Sequence, residues 1–210
     1  FTLYIALGGI VLAFVLACLG ALARISSNPV AYGISGFYTS FFRGTPLLAQ
    51  TFLIYYGLGE FRPQLESVGL WNFFKDAWNC GVFAFTLNTA AYQAEILRGA
   101  ISSVGKGQWE GAASLGLPKW LTFVKVILPQ ALRLALPNVT SDFIALLKDS
   151  SLVSVITVVE LTKQMTISAV DVRGWLVPGL ACALLYFAMS YPLSRLARRL
   201  EQTEKEAQEE

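Results

Sequence analysis

An all-α integral membrane protein, with five transmembrane helices and a cytoplasmic hairpin of two short helices, is the fold class that three features of the chain predict. Charged residues make up 14% of its 210 residues, where soluble domains carry about a quarter. The mean hydropathy is +0.55. Above all, charge is missing from whole windows: residues 1–23, 44–59, 77–94 and 174–194 hold no Asp, Glu, Lys or Arg.

The first window has 23 residues and the last has 21. As helices they are about 34 and 31 Å long, enough for a hydrocarbon core of roughly 30 Å. The first reads as a true span over 1–23 and not as a signal peptide. It lacks a basic leading region, and its apolar run exceeds the usual stretch of about 7–15 residues. It starts without Met inside apolar sequence, so a preceding stretch is expected. The second span, 44–60, is short and needs its flanks, and the third reaches full length over 77–98. The fourth, 129–147, carries Arg133 near one end and Asp142 inside, and the fifth is 174–194. Residues 201–210 contain five Glu and one Lys, an acidic cytoplasmic tail expected to be solvated and partly disordered.

Five spans alternate sides. Segments 24–43, 98–133 and 195–199 then share one side with ten Lys and Arg, against five in 60–76 and 148–173. The positive-inside rule predicts the N-terminus outside and the C-terminus in the cytoplasm, with Arg195, Arg198 and Arg199 anchoring at the lipid surface.

Between the spans, Asn28-Pro29 offers an N-cap followed by Pro at the first helical position. Val30, Ile34, Phe37 and Phe41 share a stripe opposite Tyr32, Ser35 and Ser40, the pattern of a short interfacial helix. In the loop 99–128, Gly116 and Pro118 separate two short helices at about 107–115 and 118–128. That hairpin exposes Trp109, Leu115, Trp120 and Phe123, while Gly111, Ala112 and Ala113 let another surface approach closely. Two readings fit: the hairpin lies on the protein's own membrane face, or it docks a partner.

Polar residues inside the spans mark the candidate pathway. Asn88, Tyr92, Glu95 and Gly99 form one stripe of the third span. A carboxylate near a helix centre costs about 2.5–3.5 kcal/mol on insertion scales, so Glu95 faces protein or water. Asn88 and Tyr92 can hydrogen-bond a solute, and Glu95 can attract an ammonium group. Alternatively Glu95 pairs with Arg98 or with a partner subunit. Pro137 kinks the fourth span, followed on one face by Asn138, Ser141 and Asp142. Lys148-Asp149-Ser150-Ser151 precedes 152–159, an apolar stretch too short to cross, which re-enters or caps the bundle from outside. Asp149, Ser150, Ser151 and Glu160 either receive solute there or end a span among headgroups. Gln50 in the second span is a further candidate, or a helix–helix hydrogen bond.

Several chemistries are excluded. The chain has no His, which removes Ser/His nucleophiles and His-ligated metal, so no catalytic and no metal site is expected. Cys18, Cys80 and Cys182 are far apart in apolar sequence and read as core residues. No GxxxxGK[ST] loop is present, so ATP use would need another chain.

Glu110-Gly111-Ala112, three residues, Gly116, nine residues and Val126-Ile127-Leu128-Pro129 resembles the EAA loop of ABC importer permeases. Phe42-Arg43-Gly44-Thr45-Pro46-Leu47-Leu48, Thr86–Tyr92, Ala94–Gly99 and Leu146–Leu152 are similar to the polar amino acid subfamily, whose members serve histidine, arginine, glutamine and opine import. The likeness covers about residues 2–200. It departs at Gly111 and Val126, where Ala and Ile are usual, and at Ser141-Asp142, where Asn followed by Glu or Gln is common. Gly in a helix costs about 1 kcal/mol relative to Ala, so a slightly looser coupling helix is expected. The resemblance implies an ABC type I importer permease fold over 1–200 in the bacterial inner membrane. It implies no enzyme activity in this chain, and ATP and Mg on two separate ATP-binding subunits. A second permease copy or sister permease and an external solute-binding protein complete the assembly, with no nucleic acid partner. Coupling would pass through Glu110, Gly111, Ala112, Gly116, Leu117 and Pro118. The substrate class is polar L-amino acids: acidic lining groups favour basic ones, while Arg98 and Lys148 could take an α-carboxylate. An ATP-independent carrier or channel is the rival reading, and it needs no docking loop.

Overall fold

A computed structural model describes the backbone of residues 2–209 and the side chains of residues 2–202. The described residues form helices and turns, with no strand among them. Helix α1 is Thr2–Ile25, α2 Pro29–Gly44, α3 Leu47–Phe52, α4 Arg62–Ser67, α5 Trp71–Phe74 and α6 Ala77–Ser103. Then follow α7 Lys106–Ser114, α8 Lys119–Thr122, α9 Leu128–Asp149, α10 Leu161–Asp171 and α11 Leu176–Glu209. Among the described residues, two stretches are long and apolar enough to cross a membrane by length and composition, α1 and the Leu176–Gln202 part of α11. Helices α6 and α9, of 27 and 22 residues, have the length but hold polar groups.

The helix starts follow from local chemistry. Asn28 accepts from the N–H groups of Val30 (2.9 Å) and Ala31 (3.4 Å), with Pro29 as the first helical residue. Asp76 caps α6 by accepting from Trp78 (2.8 Å) and Asn79 (3.3 Å).

Helices α1 and α6 form the spine through small residues. Buried Ala13, Ala17 and Ala21 of α1 meet Ala90 and Ala94 of α6. A Cβ at Gly20 would lie 3.1 Å from Ala94 Cβ, and one at Gly9 would lie 3.8 Å from Phe85 Cβ. Residue numbers rise together along both helices, so the two are parallel, and the chain must return between them. Helix α9 is antiparallel to α6, with Gln93 beside Asp142 and both Phe85 and Leu146 in the cluster at the far end.

The return path differs from one regular helix over 44–60. It begins with α2, whose Ser35 hydroxyl donates to the Gly20 carbonyl (2.9 Å) and whose Tyr38 hydroxyl donates to the Leu87 carbonyl (2.6 Å). Ser35, Tyr38 and Thr39 therefore form the inward face of α2, whereas Tyr32 and Ser40, expected beside Ser35, are exposed, and Val30, Ile34, Phe37 and Phe41 point away from the protein. After the break at Pro46, α3 continues as a π-helical turn, Leu53–Gly57, in which the Leu58 N–H reaches the Leu53 carbonyl, and then a 3-10 turn, Leu58–Phe61.

The apolar stretch after α9 is a 3-10 segment, Ser150–Ile156, that closes one end of the bundle. Val153, Ile156 and Val158 bury against Ile5, Phe85 and Leu146. Gly81 permits this approach, since a Cβ there would stand 2.9 Å from Val153 Cγ1. Helix α11 runs on through Glu209. Glu, Gln, Ala and Lys are good helix formers, and no Gly or Pro follows Pro192 to stop the helix. The tail's side chains from 203 onward lie outside the described residues.

Candidate functional site

The break between α2 and α3 builds the site. Pro46 has no N–H and forces Thr45 into extended backbone (φ −118°, ψ 146°), which strips the Phe42 and Thr45 carbonyls of helical partners. Unsatisfied carbonyls are costly in a bilayer, and two buried amides answer them. Gln50 Nε2 donates to Phe42 O (2.9 Å), Thr45 O (3.0 Å) and Thr45 Oγ1 (2.8 Å). Asn88 Nδ2 donates to Phe42 O (3.1 Å) and Gln50 Oε1 (3.0 Å). Both Asn88 amide hydrogens are thus spent on holding the break, leaving only its Oδ1 for a solute.

The break, α6 and α9 enclose a cavity of about 510 Å³ lined by Arg43, Thr45, Asn88, Tyr92, Asp142 and Asp149, among others. Of the residues expected in a pathway, Asn88, Tyr92 and Asp149 are brought together here. Gln50 stands behind the wall. Ser150 is buried and donates to the Leu147 carbonyl (2.7 Å), and half-buried Ser151 continues the same 3-10 turn. Glu160, 2% exposed, caps α10 through the N–H groups of Thr162 and Lys163 (both 2.8 Å) and accepts from the Tyr186 hydroxyl (2.8 Å). Neither Ser150, Ser151 nor Glu160 lines the cavity.

Glu95 likewise lies off the cavity wall. Its Oε1 accepts from Arg24 Nε (3.0 Å), its Oε2 accepts from Arg98 Nε (2.8 Å), and Arg43 Nη1 stands 3.9 Å from Oε2. The pairing alternative for Glu95 is the one the geometry holds. Arg24 and Arg43, counted in the sequence as loop charges, are drawn in by this carboxylate.

Two cavity groups, Arg43 and Asp142, and Gln93 behind Asp142 were not among the expected site residues. Arg43 was masked by its place beside a charge-free window. Asp142 was noted only as a polar residue of α9. Gln93 Nε2 donates to Asp142 Oδ2 (3.1 Å), while its Oε1 is buried without a hydrogen-bond partner among the described residues. The signal for Gln93 was its polarity within the charge-free window 77–94, off the Asn88 stripe. A larger groove of about 880 Å³ runs between α9 and α11 past Asn138, Ser141, Ser190, Tyr191 and Ser194. It gathers Asn138 and Ser141 of the fourth-span polar face and none of the other expected pathway residues.

The hairpin is α7, α8 and a π-helical turn, Phe123–Ile127, leading into α9. Pro129 has no N–H to offer the Lys125 carbonyl, and the Leu128 N–H reaches back to Phe123 instead. Trp109 and Phe123, expected outside, pack on the core, whereas Leu115 and Trp120 remain 81% and 67% exposed. Ala112 is buried, and Glu110 and Gly111 face outward with open space beyond the Gly111 Cα. Gly116 ends α7 at φ +73°, donating to Ala113 O (2.9 Å), while the Leu117 N–H reaches Ala112 O (3.1 Å) ahead of Pro118. This double closure needs a left-handed residue. Gly116→Ala is expected to destabilise the hairpin by about 1–2 kcal/mol, seen as faster amide hydrogen exchange in α7. Unchanged exchange would contradict that role.

Residues 9–205 match the family described as binding-protein-dependent transport system inner membrane component. The chain belongs to this family. It is a permease component of an ABC transport system. It is 40% identical over 93% of its length to 81% of the nopaline transport system permease protein NocM of Agrobacterium fabrum. It is 32% identical over 95% of its length to 88% of a putative glutamine transport system permease protein GlnP of Rickettsia typhi. Among solved structures, an amino acid ABC transporter crystallised with histidines superposes with a TM-score of 0.86 at 34% identity, over 96% of this permease and 90% of that chain. The inward-facing MetNI methionine transporter shares the fold, with a TM-score of 0.70 at 18% identity over 95% and 92% of the two chains.

Proposed function

We propose that this permease forms the membrane pathway of an ATP-driven importer for polar amino acids carrying a net positive charge. The cavity supports this reading most directly. Its charged lining is one guanidinium, Arg43, and two carboxylates, Asp142 and Asp149. That set complements a solute with one carboxylate and two cationic groups, namely an α-amino acid with a basic side chain. The relatives named for amino acid and opine transport support the amino acid part of this reading.

The chain crosses the bilayer five times, N-terminus outside and C-terminus in the cytoplasm, in keeping with parallel α1 and α6 and the distribution of Lys and Arg. Two ATP-binding subunits, which hold ATP and Mg, dock on the hairpin through Glu110, Gly111 and Leu115. A second permease completes the membrane portion, and an external binding protein delivers the solute. Closure of the ATPases moves the hairpin, and the bundle alternates access to the cavity.

The test is equilibrium binding of L-arginine and L-glutamine to the purified permease–ATPase complex without the binding protein. Asp142→Asn is expected to weaken L-arginine at least about tenfold while changing L-glutamine little, since a hydrogen bond to a charged group contributes about 1.5–3 kcal/mol. An unchanged ratio of the two affinities would remove the charge assignment. Uptake that persists without ATP would remove the importer reading itself.

A further inference from the structure

We propose that Glu95 is a positioning residue for solute recognition: it holds the Arg43 guanidinium at the cavity wall from behind and so sets where a solute carboxylate is received, without touching the solute. The proposal rests on the reading of the cavity as the amino acid site. Three guanidinium groups from three helices converge on this one carboxylate, and they are not equivalent. Arg24, at the end of α1, and Arg98, on α6, each spend Nε on a charge-assisted hydrogen bond to a separate Glu95 oxygen, at 3.0 and 2.8 Å. Those two bonds fix the carboxylate plane. Gly36 of α2 leaves room for the first, since a Cβ there would stand 3.0 Å from Arg24 Nη1.

Arg43 is the third guanidinium, and it differs. At 3.9 Å its Nη1 is in Coulombic reach of Glu95 Oε2 but beyond hydrogen-bond distance. Its face lies 5.5 Å from the Tyr92 ring centroid. It makes no side-chain hydrogen bond among the described residues, so its five N–H donors are unspent. It is also 45% exposed, against 13% for Glu95, and it alone of the three lines the cavity. Glu95 and Tyr92 therefore orient a guanidinium while leaving its donors open, the arrangement that bidentate recognition of a carboxylate requires. Without the Glu95 charge, Arg24 and Arg98 would repel Arg43 from its place.

The probes are L-arginine and agmatine, which is the same molecule without its carboxylate, bound to the permease–ATPase complex and measured by equilibrium dialysis. The wild type is expected to prefer L-arginine at least about tenfold. Arg43→Gln should lower L-arginine affinity to the agmatine level. Glu95→Gln should weaken L-arginine about fivefold or more and leave agmatine within about twofold, and adding it to Arg43→Gln should cost nothing further. Glu95→Asp, which keeps the charge but shortens the reach, should show the same selective loss and serves if Glu95→Gln does not accumulate. Equal weakening of both probes by either Glu95 variant, or additive losses in the double variant, would overturn the proposal and leave Glu95 a structural ion pair. A wild-type complex that binds neither probe would overturn the cavity reading on which it rests.

Discussion

Ala94→Leu is expected to destabilise the folded permease more than any other single change outside the site. Lipid tails are as apolar as leucine, so helices in a bilayer associate by close packing and not by leaving solvent. The α1–α6 seam is made of residues with almost no side chain: Ala13, Ala17 and Ala21 against Ala90 and Ala94. Ala94 is fully buried, and its Cβ already lies 3.1 Å from where a Gly20 Cβ would be. Three further carbons have no vacant volume there. Overpacking costs about 1–3 kcal/mol in ordinary cores, and about 3 kcal/mol or more is expected here because backbone stands opposite. The unfolding temperature in detergent should fall sharply and co-purification of the ATPase should be lost. Val15→Leu, on the outward face of α1, is the control and should change stability by less than about 0.5 kcal/mol. Unfolding of Ala94→Leu at the wild-type temperature would refute the seam as the spine of the fold.

Glu110→Lys is expected to separate ATP hydrolysis from transport while leaving the permease intact. The Glu110 side chain is exposed on α7 and makes no hydrogen bond or ion pair among the described residues, so its replacement should alter stability by less than about 0.5 kcal/mol. Its neighbours Gly111 and Leu115 also face outward, whereas Ala112 turns in and ties the helix to the body of the protein. A docked ATPase would desolvate this surface, and truncating one partner of a buried charge pair costs about 2–5 kcal/mol. ATP-dependent uptake in proteoliposomes should therefore fall more than about tenfold, with an unchanged unfolding temperature. Full uptake by Glu110→Lys would remove the hairpin from the coupling path.

Much of the fold was legible because it depends on short-range chemistry. Windows without charge marked α1 and the apolar part of α11, and Asn28 and Gly116 marked helix ends through their own side-chain or backbone geometry. The second span was harder. The carbonyls that Pro46 strands are repaired by Gln50, on the far side of the break, and by Asn88, on another helix. The hairpin showed a similar limit. Trp109 and Phe123 looked like docking surface, but the core accepts them, and only Leu115 and Trp120 stay outside.

For the site, periodicity named the face of α6 that matters but not what stands opposite it. Asn88, Tyr92 and Glu95 share a stripe, yet Asn88 holds the α2–α3 break, Tyr92 lines the cavity, and Glu95 anchors arginines. Their roles diverge because their partners come from α1, α2 and α3. Glu95 meets Arg24 across 71 residues of chain, and Gln93 meets Asp142 across 49. Charge placement and helix boundaries are local properties, carried by each segment wherever it packs. Which buried polar groups find each other depends on the parallel approach of α1 and α6 through their alanines. Small side chains set that approach by steric fit, and steric fit is a property of pairs of helices that no single helix displays.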